Sequence, residues 1–276
     1  MINTKFVFVI LIYRNYEDLL ECLESIKEKI SSYQVIVVNA FYDEESKNAI
    51  EKIAKENNCH FLNIENKGYS YGNNAGIKYA NENIDYQYLI VSNPDIIIKD
   101  FDENKLDECT KFSIIAPKIV AKNGKRQNPI SFRRNKLKEK LEYVGLTKNN
   151  KFLFYIAIMI GKFNRYLSLL FHLNGKKPFK IYGAHGSFVI FRKSAIDILS
   201  PVYDENMFLF GEEGVLALRA KENHLVTGQL NCINIFHKED GSMKLADFSI
   251  NKELVKSNIY YYEHYVMKPK KKDKID

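Results

Sequence analysis

The first 92 residues constrain the fold more tightly than anything after them. Four apolar runs, at 5–13, 34–38, 60–64 and a last one ending at Ser92, alternate with three segments of helical periodicity. Residues 5–13 are nearly all apolar rather than alternating, as in a strand covered on both faces. Between 17 and 30, Leu19, Leu20, Leu23, Ile26 and Ile30 share a helix face; between 44 and 57, Ala49, Ile50, Ile53 and Ala54 do so; a third helix is predicted over 71–81. Strands and helices of these lengths in this order predict an α/β fold, with a mostly parallel central sheet, helices on both faces and right-handed crossovers.

The fourth run, Tyr88 to Val91, ends at Asn93-Pro94-Asp95. Proline cannot continue a ladder, so Asp95 is offered at the strand's carboxyl end, the edge where open α/β sheets bind ligands. A carboxylate there suits a divalent cation, and the cation suits a diphosphate. As an isolated tripeptide the same residues also make an ordinary turn.

Composition narrows the field. Four cysteines (Cys22, Cys59, Cys109, Cys232) are scattered without metal-ligand spacing, which argues against a zinc site or a disulfide framework and fits a reducing cytoplasm. The first apolar run is short, lacks a small-residue cleavage site and runs into Arg14, so it reads as a strand and not a signal peptide. A net charge of +7 favours an anionic partner, with lysines crowding the tail (Lys268, Lys270, Lys271, Lys272, Lys274) and Lys176, Lys177 and Lys180 following an apolar stretch. No nucleic-acid-binding motif accompanies that charge.

Beyond Asp95 the pattern predicts a hairpin from 113–120 and 127–132 about Asn123-Gly124, then a strand over 187–191 with a short helix ended by Pro201. A helix begins at Gly211-Glu212-Glu213, a strand region over 225–236 ends at His237, and a last helix covers 249–265. From 133 to 180 charged and apolar residues mix, and the apolar run at 152–160 is far short of the roughly 20 residues that cross a bilayer. Two readings stand: a helical insertion packed on the domain, or an amphipathic helix lying on an anionic membrane surface.

Asn66-Lys67-Gly68-Tyr69-Ser70-Tyr71-Gly72-Asn73-Asn74-Ala75-Gly76, followed by Asn93-Pro94-Asp95 at the next strand end, resembles the inverting glycosyltransferases of family 2 with the GT-A fold. The likeness is greatest to the rhamnosyltransferase-like members of polysaccharide biosynthesis; it spans 6 to about 242 and is poorest over 133–180. It implies a GT-A domain over 1–248, with a nucleotide-sugar half at 1–100 and an acceptor and catalytic-base half at 101–248, then a C-terminal helix and basic tail at 249–276. It also implies donor contacts from Tyr13, Asn15, Asn39, Asn66, Gly68, Tyr69, Gly72, Asn73, Asn74 and Asn93. Glycines at 68 and 72 permit close backbone turns, and the helix that follows points its amino end at the donor.

In the family an Asp-x-Asp motif binds metal and diphosphate. Here Asn93 takes the first acidic position and Asp95 the second, so the resemblance implies that Asp95 ligates Mn2+ or Mg2+. Asn39 stands where the family has its base-contacting acid, and Tyr42 replaces a small residue. The segment 204–213 resembles the one that delivers the catalytic base: Glu213 is the implied base and Glu212 its support, although two glutamates also suit a helix amino terminus. His237 opens a His-x-x-x-Gly-Ser element and is an implied metal or phosphate ligand; Gly183-Ala184-His185-Gly186-Ser187 fits the strand entry beside the acceptor.

The expected activity is metal-dependent hexosyl or deoxyhexosyl transfer, from a UDP-, dTDP- or GDP-linked donor to a glycan or lipid-linked acceptor. The expected location is the cytoplasm, peripheral to the inner face of the membrane. A sugar nucleotidyltransferase would need a Gly-rich triphosphate loop after the first strand, where Ile12-Tyr13-Arg14-Asn15-Tyr16 has no glycine. The competing reading from another class is a degenerate GT-A protein that binds glycan or scaffolds without catalysis.

Overall fold

The computed structural model describes residues 2–14, 16–172, 177–239 and 250–267. The elements run β1 (Ile2–Ile12), α1 (Glu17–Lys29), β2 (Tyr33–Ala40), α2 (Glu44–Glu56), β3 (His60–Ile64), α3 (Tyr69–Asn83), β4 (Ile84–Ser92), β5 (Ile96–Phe101), α4 (Glu103–Glu108) and β6 (Ile114–Ala121). They continue with α5 (Lys136–Thr147), α6 (Lys151–His172), β7 (Phe179–Lys180), β8 (Phe188–Arg192), α7 (Lys193–Leu199), α8 (Glu212–Glu222), β9 (Thr227–His237) and α9 (Ile250–Tyr261), which passes into a π-helical turn, Tyr262–Val266. Asn15, Lys176, residues 240–249 and the lysine tail lie outside the described residues.

The nine strands among the described residues belong to one sheet, in the order β3-β2-β1-β4-β8-β6-β9-β5, with β7 also on β9. The α/β class and the mostly parallel first half are as expected: β3, β2, β1 and β4 are mutually parallel. β8 is antiparallel to β4, and β6 is antiparallel to β8, so β6 and its parallel neighbour β9 again run with β4. The carboxyl ends of β1, β2, β3, β4, β6 and β9 therefore share one edge of the sheet. The entry to β8 lies there too, with Phe188 beside Ser92.

Alternation along β1 divides the core. Phe6, Phe8, Ile10 and Ile12 pack with Leu19, Leu23 and Ile26 of α1 and Ile50 and Ile53 of α2. Val7 and Val9 face the other way, onto Ile77 and Ala80 of α3, Ile196 of α7 and Leu216 of α8. Burial of both faces explains why this strand reads as a continuous apolar run. Helix α3 lies close on the sheet because Gly72 and Gly76 stand one turn apart on its inner face. A Cβ at Gly72 would meet Leu11 at 2.4 Å, and one at Gly76 would meet Val9 at 2.4 Å.

The structure corrects the expected hairpin. The turn is present, with Gly124 at φ 77°, but residues 127–132 form no strand. The return segment makes only isolated bridges, Val120 with Arg126 and Ser131 with Gly183. Pro129 has no N–H to extend a ladder, and Asn128 donates its side-chain amide to the Pro117 carbonyl at 2.9 Å. The run after Asp95 is itself a strand, β5, which crosses to the far edge of the sheet and pairs antiparallel with β9. Between 133 and 180 the insertion is a helical pair, α5 and α6, joined closely at Gly145, where a Cβ would meet the Phe154 backbone nitrogen at 2.8 Å.

Gly76→Val should overfill the gap between α3 and β1, at a cost of about 1–3 kcal/mol. Urea unfolding should show a lower midpoint with an unchanged m-value, and an unchanged midpoint would refute the close-packing account.

Candidate active site

Asp95 is 4% exposed in the short link between β4 and β5, and its backbone carbonyl accepts from Lys238 N at 3.0 Å. Its Oδ2 lies 3.3 Å from Nε2 of His237, which is 7% exposed at the end of β9. The hydrogen-bond chain behind this pair fixes its chemistry. Gln127 donates its amide nitrogen to Glu239 Oε1 at 2.8 Å, which leaves Gln127 Oε1 facing His237 Nδ1 at 2.7 Å. An amide oxygen only accepts, so Nδ1 carries the hydrogen and Nε2 is the nitrogen turned to Asp95. A histidine anchored through one nitrogen and opposed to a carboxylate at the other is oriented as metal-ligating histidines are.

The His185 ring lies edge-on to that of His237, centroids 5.8 Å apart. Ser187 N donates to His185 Nδ1 at 3.2 Å, so that nitrogen is an acceptor. Burial, and then the neighbouring His237 and Arg165, hold His185 down to about 4, leaving it neutral. The segment is pinned from both sides: His185 N donates to Asn128 Oδ1 at 2.7 Å, and Asn93 N donates to Ser187 O at 2.9 Å.

The other end of this segment reaches α8. Gly186 N donates to Glu213 Oε1 at 3.3 Å, and a Cβ at Gly186 would stand 3.3 Å from the same oxygen. Glu212 and Glu213 occupy the first turn of α8, entered through Gly211 at φ 81°. Burial raises the Glu213 carboxyl, partly offset by backbone N–H donors. Glu212 is 7% exposed and raised well above the ordinary range by burial and by Glu213; its Oε2 has no partner. Arg219 holds α8 in place through the carbonyls of Leu199, Pro201 and Val202, at 2.6–2.8 Å.

The remaining sequence-singled residues divide by what they touch. Asn66 accepts from Gly68 N at 3.2 Å, and Gly68, at φ 97°, sits so close to Phe208 that a Cβ would meet its carbonyl oxygen at 2.2 Å. Tyr69 OH donates to Gly186 O at 2.9 Å, and Asn74 bridges to Tyr203 and Glu205. The contacts to Phe208, Gly186, Tyr203 and Glu205 lash α3 to the second half of the chain, while Gly72 packs it on Leu11 of β1. Asn39 donates to Asn63 at 2.7 Å and Asn73 to Tyr69 O at 2.9 Å, each leaving a buried Oδ1 without a partner. Tyr13 meets Tyr42 edge-on at 5.7 Å, and the Arg14 guanidinium lies 3.9 Å from the centre of the Tyr42 ring. Asp43 is the N-cap of α2, accepting from Ser46 N at 2.8 Å. Asn15 lies outside the described residues.

Sequence reasoning did not find Gln127, Asn128 or Arg165. The guanidinium of Arg165, on α6, donates to the carbonyls of Arg126 and Gln127. Nothing periodic marks these residues; the signal available was a Gln-Asn pair before proline on the strand edge that binds ligands. A cleft of about 580 Å³ between the loop at Asp204 and α9, lined by Tyr260 and Tyr265 among others, shares no residue with the Asp95 and His237 cluster. Both tyrosine hydroxyls donate to Asp204 there.

Residues 7–199 match the model of the family described as glycosyl transferase family 2. A relative, the low-salt glycan biosynthesis hexosyltransferase Agl10 of Haloferax volcanii, is 25% identical over 239 residues, 84% of this chain and 66% of that protein. Among solved structures, GalNAc-T7 with UDP, GalNAc and Mn2+ superposes with a TM-score of 0.60 at 12% identity, over 94% of this chain and 48% of its own. TarS of S. aureus superposes at 0.54 with 12% identity, over 93% of this chain and 43% of its own. The chain thus spans about half the length of these two structural neighbours, which share its fold.

Glu212 binds its proton more tightly folded than unfolded. Its contribution to stability is therefore complete below the ordinary value of 4.5 and is lost as pH rises through the raised folded value. Thermal unfolding midpoints from pH 5 to 8 should fall more steeply for the wild type than for Glu212→Gln; parallel slopes would show that this carboxyl carries no burial cost.

Proposed function

The chain belongs to glycosyl transferase family 2, and on that premise we propose that it moves a hexosyl or deoxyhexosyl group, with inversion, from a nucleotide-diphosphate donor to a glycan or lipid-linked acceptor. The setting is surface polysaccharide synthesis on the cytoplasmic side. The observation that carries this reading is the strip from Gly186 to His237, which has the raised Glu213 carboxyl at one end and Asp95 at the other. The hexosyltransferase name of the Haloferax relative and the UDP and Mn2+ bound in GalNAc-T7 support the choice of donor and ion.

Inversion in one displacement needs a base on the acceptor side and charge stabilisation on the leaving side. Glu213 takes the proton of the acceptor hydroxyl as its oxygen bonds to the anomeric carbon, and the bond to the diphosphate oxygen breaks on the opposite face. A carboxyl raised by burial is a stronger base once ionised, which suits that step. Burial and the neighbouring Glu213 favour the neutral form of Glu212, which disfavours a second charge in the pair. A non-catalytic glycan-binding subunit has no use for two adjacent buried acids, and this favours the enzyme.

Asp95 and His237 fit a divalent ion as two ligands with an ordered second shell. Among the described residues no cluster of three or more His, Cys, Asp or Glu side chains is arranged for a metal; a divalent ion of this kind takes phosphate oxygens and water readily. Mn2+ or Mg2+ held there would neutralise charge developing on the leaving diphosphate. The Tyr13, Tyr42 and Arg14 cluster offers a stacking face for the donor's base.

Glu213→Gln should lower turnover about 10²–10⁴-fold while donor still raises the unfolding midpoint. Near-normal turnover would remove Glu213 from its role. In calorimetry, EDTA should weaken donor binding to the wild type and leave Asp95→Asn unaffected; a wild type indifferent to EDTA would dismiss Asp95 and His237 as the ion's seat. A screen of UDP, GDP and dTDP sugars by thermal shift with Mn2+ ranks the donors.

A further inference from the structure

Helix α6 is apolar on two opposite faces. Inward, Ala157 is fully buried, Phe154 packs against Gly145 of α5, and Arg165 reaches the carbonyls of Arg126 and Gln127. Outward, Phe152, Tyr155, Met159, Phe163, Tyr166 and Leu170 are each 53–72% exposed. At about 100° per residue these six form one stripe along five turns of the helix. Scattered exposed apolar residues are normal, but a continuous line of large ones marks a contact surface. No helix among the described residues is long and apolar enough to cross a membrane.

The surroundings of the stripe identify its occupant. Twelve of the chain's 41 lysines and arginines lie between 133 and 180, with only two of its 34 acidic residues, so the rest of the chain is slightly acidic. The two acids, Glu139 and Glu142, are consumed by Arg134 and Lys138. Every exposed charged side chain among the described residues of this segment is a cation. Lys151 and Lys162 fall within about 20° of each other along one border of the stripe. On α5, Lys136 and Lys140 flank Leu137, itself 60% exposed. A second copy docked symmetrically on this face would bring these cations against their own equivalents, which is repulsive. An anionic bilayer instead accepts the apolar stripe below its headgroups and the lysines among them.

We infer that α6 is an interfacial anchor that seats the protein on an anionic lipid surface. The helix lies in the plane of the interface with its outer face in the acyl boundary, while its inner face holds the Arg126 to Asn128 segment beside His237 and His185. The candidate active site is thereby held about one helix diameter from the acyl boundary, near the level of the lipid headgroups. Together with the transferase reading, on which this last step rests, that placement selects a lipid-linked acceptor.

Co-sedimentation of the full chain with vesicles tests the anchor without any turnover, so its failure is distinct from failure of the transfer reaction. Vesicles of phosphatidylcholine mixed with phosphatidylglycerol should bind the protein, and phosphatidylcholine alone should bind it poorly. The exposed triple variant Phe152→Ser, Met159→Ser, Phe163→Ser should lose binding by at least about tenfold with its unfolding midpoint unchanged, and Lys151→Glu with Lys162→Glu should lose it at low salt. Removing residues 268–276 should leave most binding intact. The proposal is overturned if the triple variant binds as the wild type does, or if only loss of the tail matters. A wild-type dimer in analytical ultracentrifugation that the triple variant dissolves would equally overturn it, in favour of a second copy.

Discussion

The architecture depends on the two unlike partners of β4. On one side it is hydrogen-bonded in parallel to β1, and on the other antiparallel to β8. That switch lets a chain that begins as a regular alternation of strand and helix complete its sheet from distant segments, and it returns β6 and β9 to the direction of β4. The consequence is geometric. Asp95, Gln127, Gly186 and His237, widely separated in sequence, come to one edge because direction is restored after two reversals. Pro94 releases the chain from β4 where that edge begins, and β5 crosses to the outer side of β9 to pair beside His237.

A second theme is buried polar groups with unmet hydrogen-bonding capacity, which occur at several places in the fold and include residues singled out for the site. Asn39 Oδ1, Asn73 Oδ1 and Glu212 Oε2 are buried without partners. A buried, unpaired polar atom costs on the order of 1–3 kcal/mol, and native structures tolerate few without a reason. Burial that penalises Glu212 and Glu213 as anions is what raises their carboxyls. Stability is thus given up at the residues to which chemistry is assigned, and Arg219 offsets part of it by fixing the helix that carries them.

The first half of the fold was legible because both faces of its sheet are covered: strands become apolar runs, and helices carry one apolar stripe. Residues 60–64 and 17–29 were readable almost to the residue for that reason. The second half was harder. The predicted return strand at 127–132 fails on Pro129 and on Asn128, whose side chain serves His185 and Pro117 instead of a ladder. β5 was hidden because its partner, β9, lies far downstream and periodicity carries no information about pairing. Among candidate site residues, Asp95 was visible as a strand end, whereas His237 and Glu213 were singled out through the resemblance to the family, since a histidine after a strand and two glutamates at a helix start are by themselves ordinary structure. Gln127 was not, since a glutamine that orients a histidine has no spacing signature. Gly72 was flagged for closeness to a ligand, whereas its space is taken by Leu11, so the requirement for glycine there is met by helix-to-sheet packing.

The helical pair α5 and α6 joins these themes. Its sequence is the least regular in the chain because α6 answers to two environments at once, the domain on one face and an outward stripe on the other. Arg165 carries the connection inward. Its guanidinium is desolvated, which lowers its pKa, and it binds the backbone of Arg126 and Gln127, the latter the residue whose side chain holds His237. Any force on α6 therefore reaches the Asp95 and His237 pair through two hydrogen-bonded links, without passing through the core of the sheet. An apolar stripe on a freely hinged arm would tether the protein and do nothing to orient it. The same stripe on a helix whose opposite face is bonded into the site fixes which way that site faces.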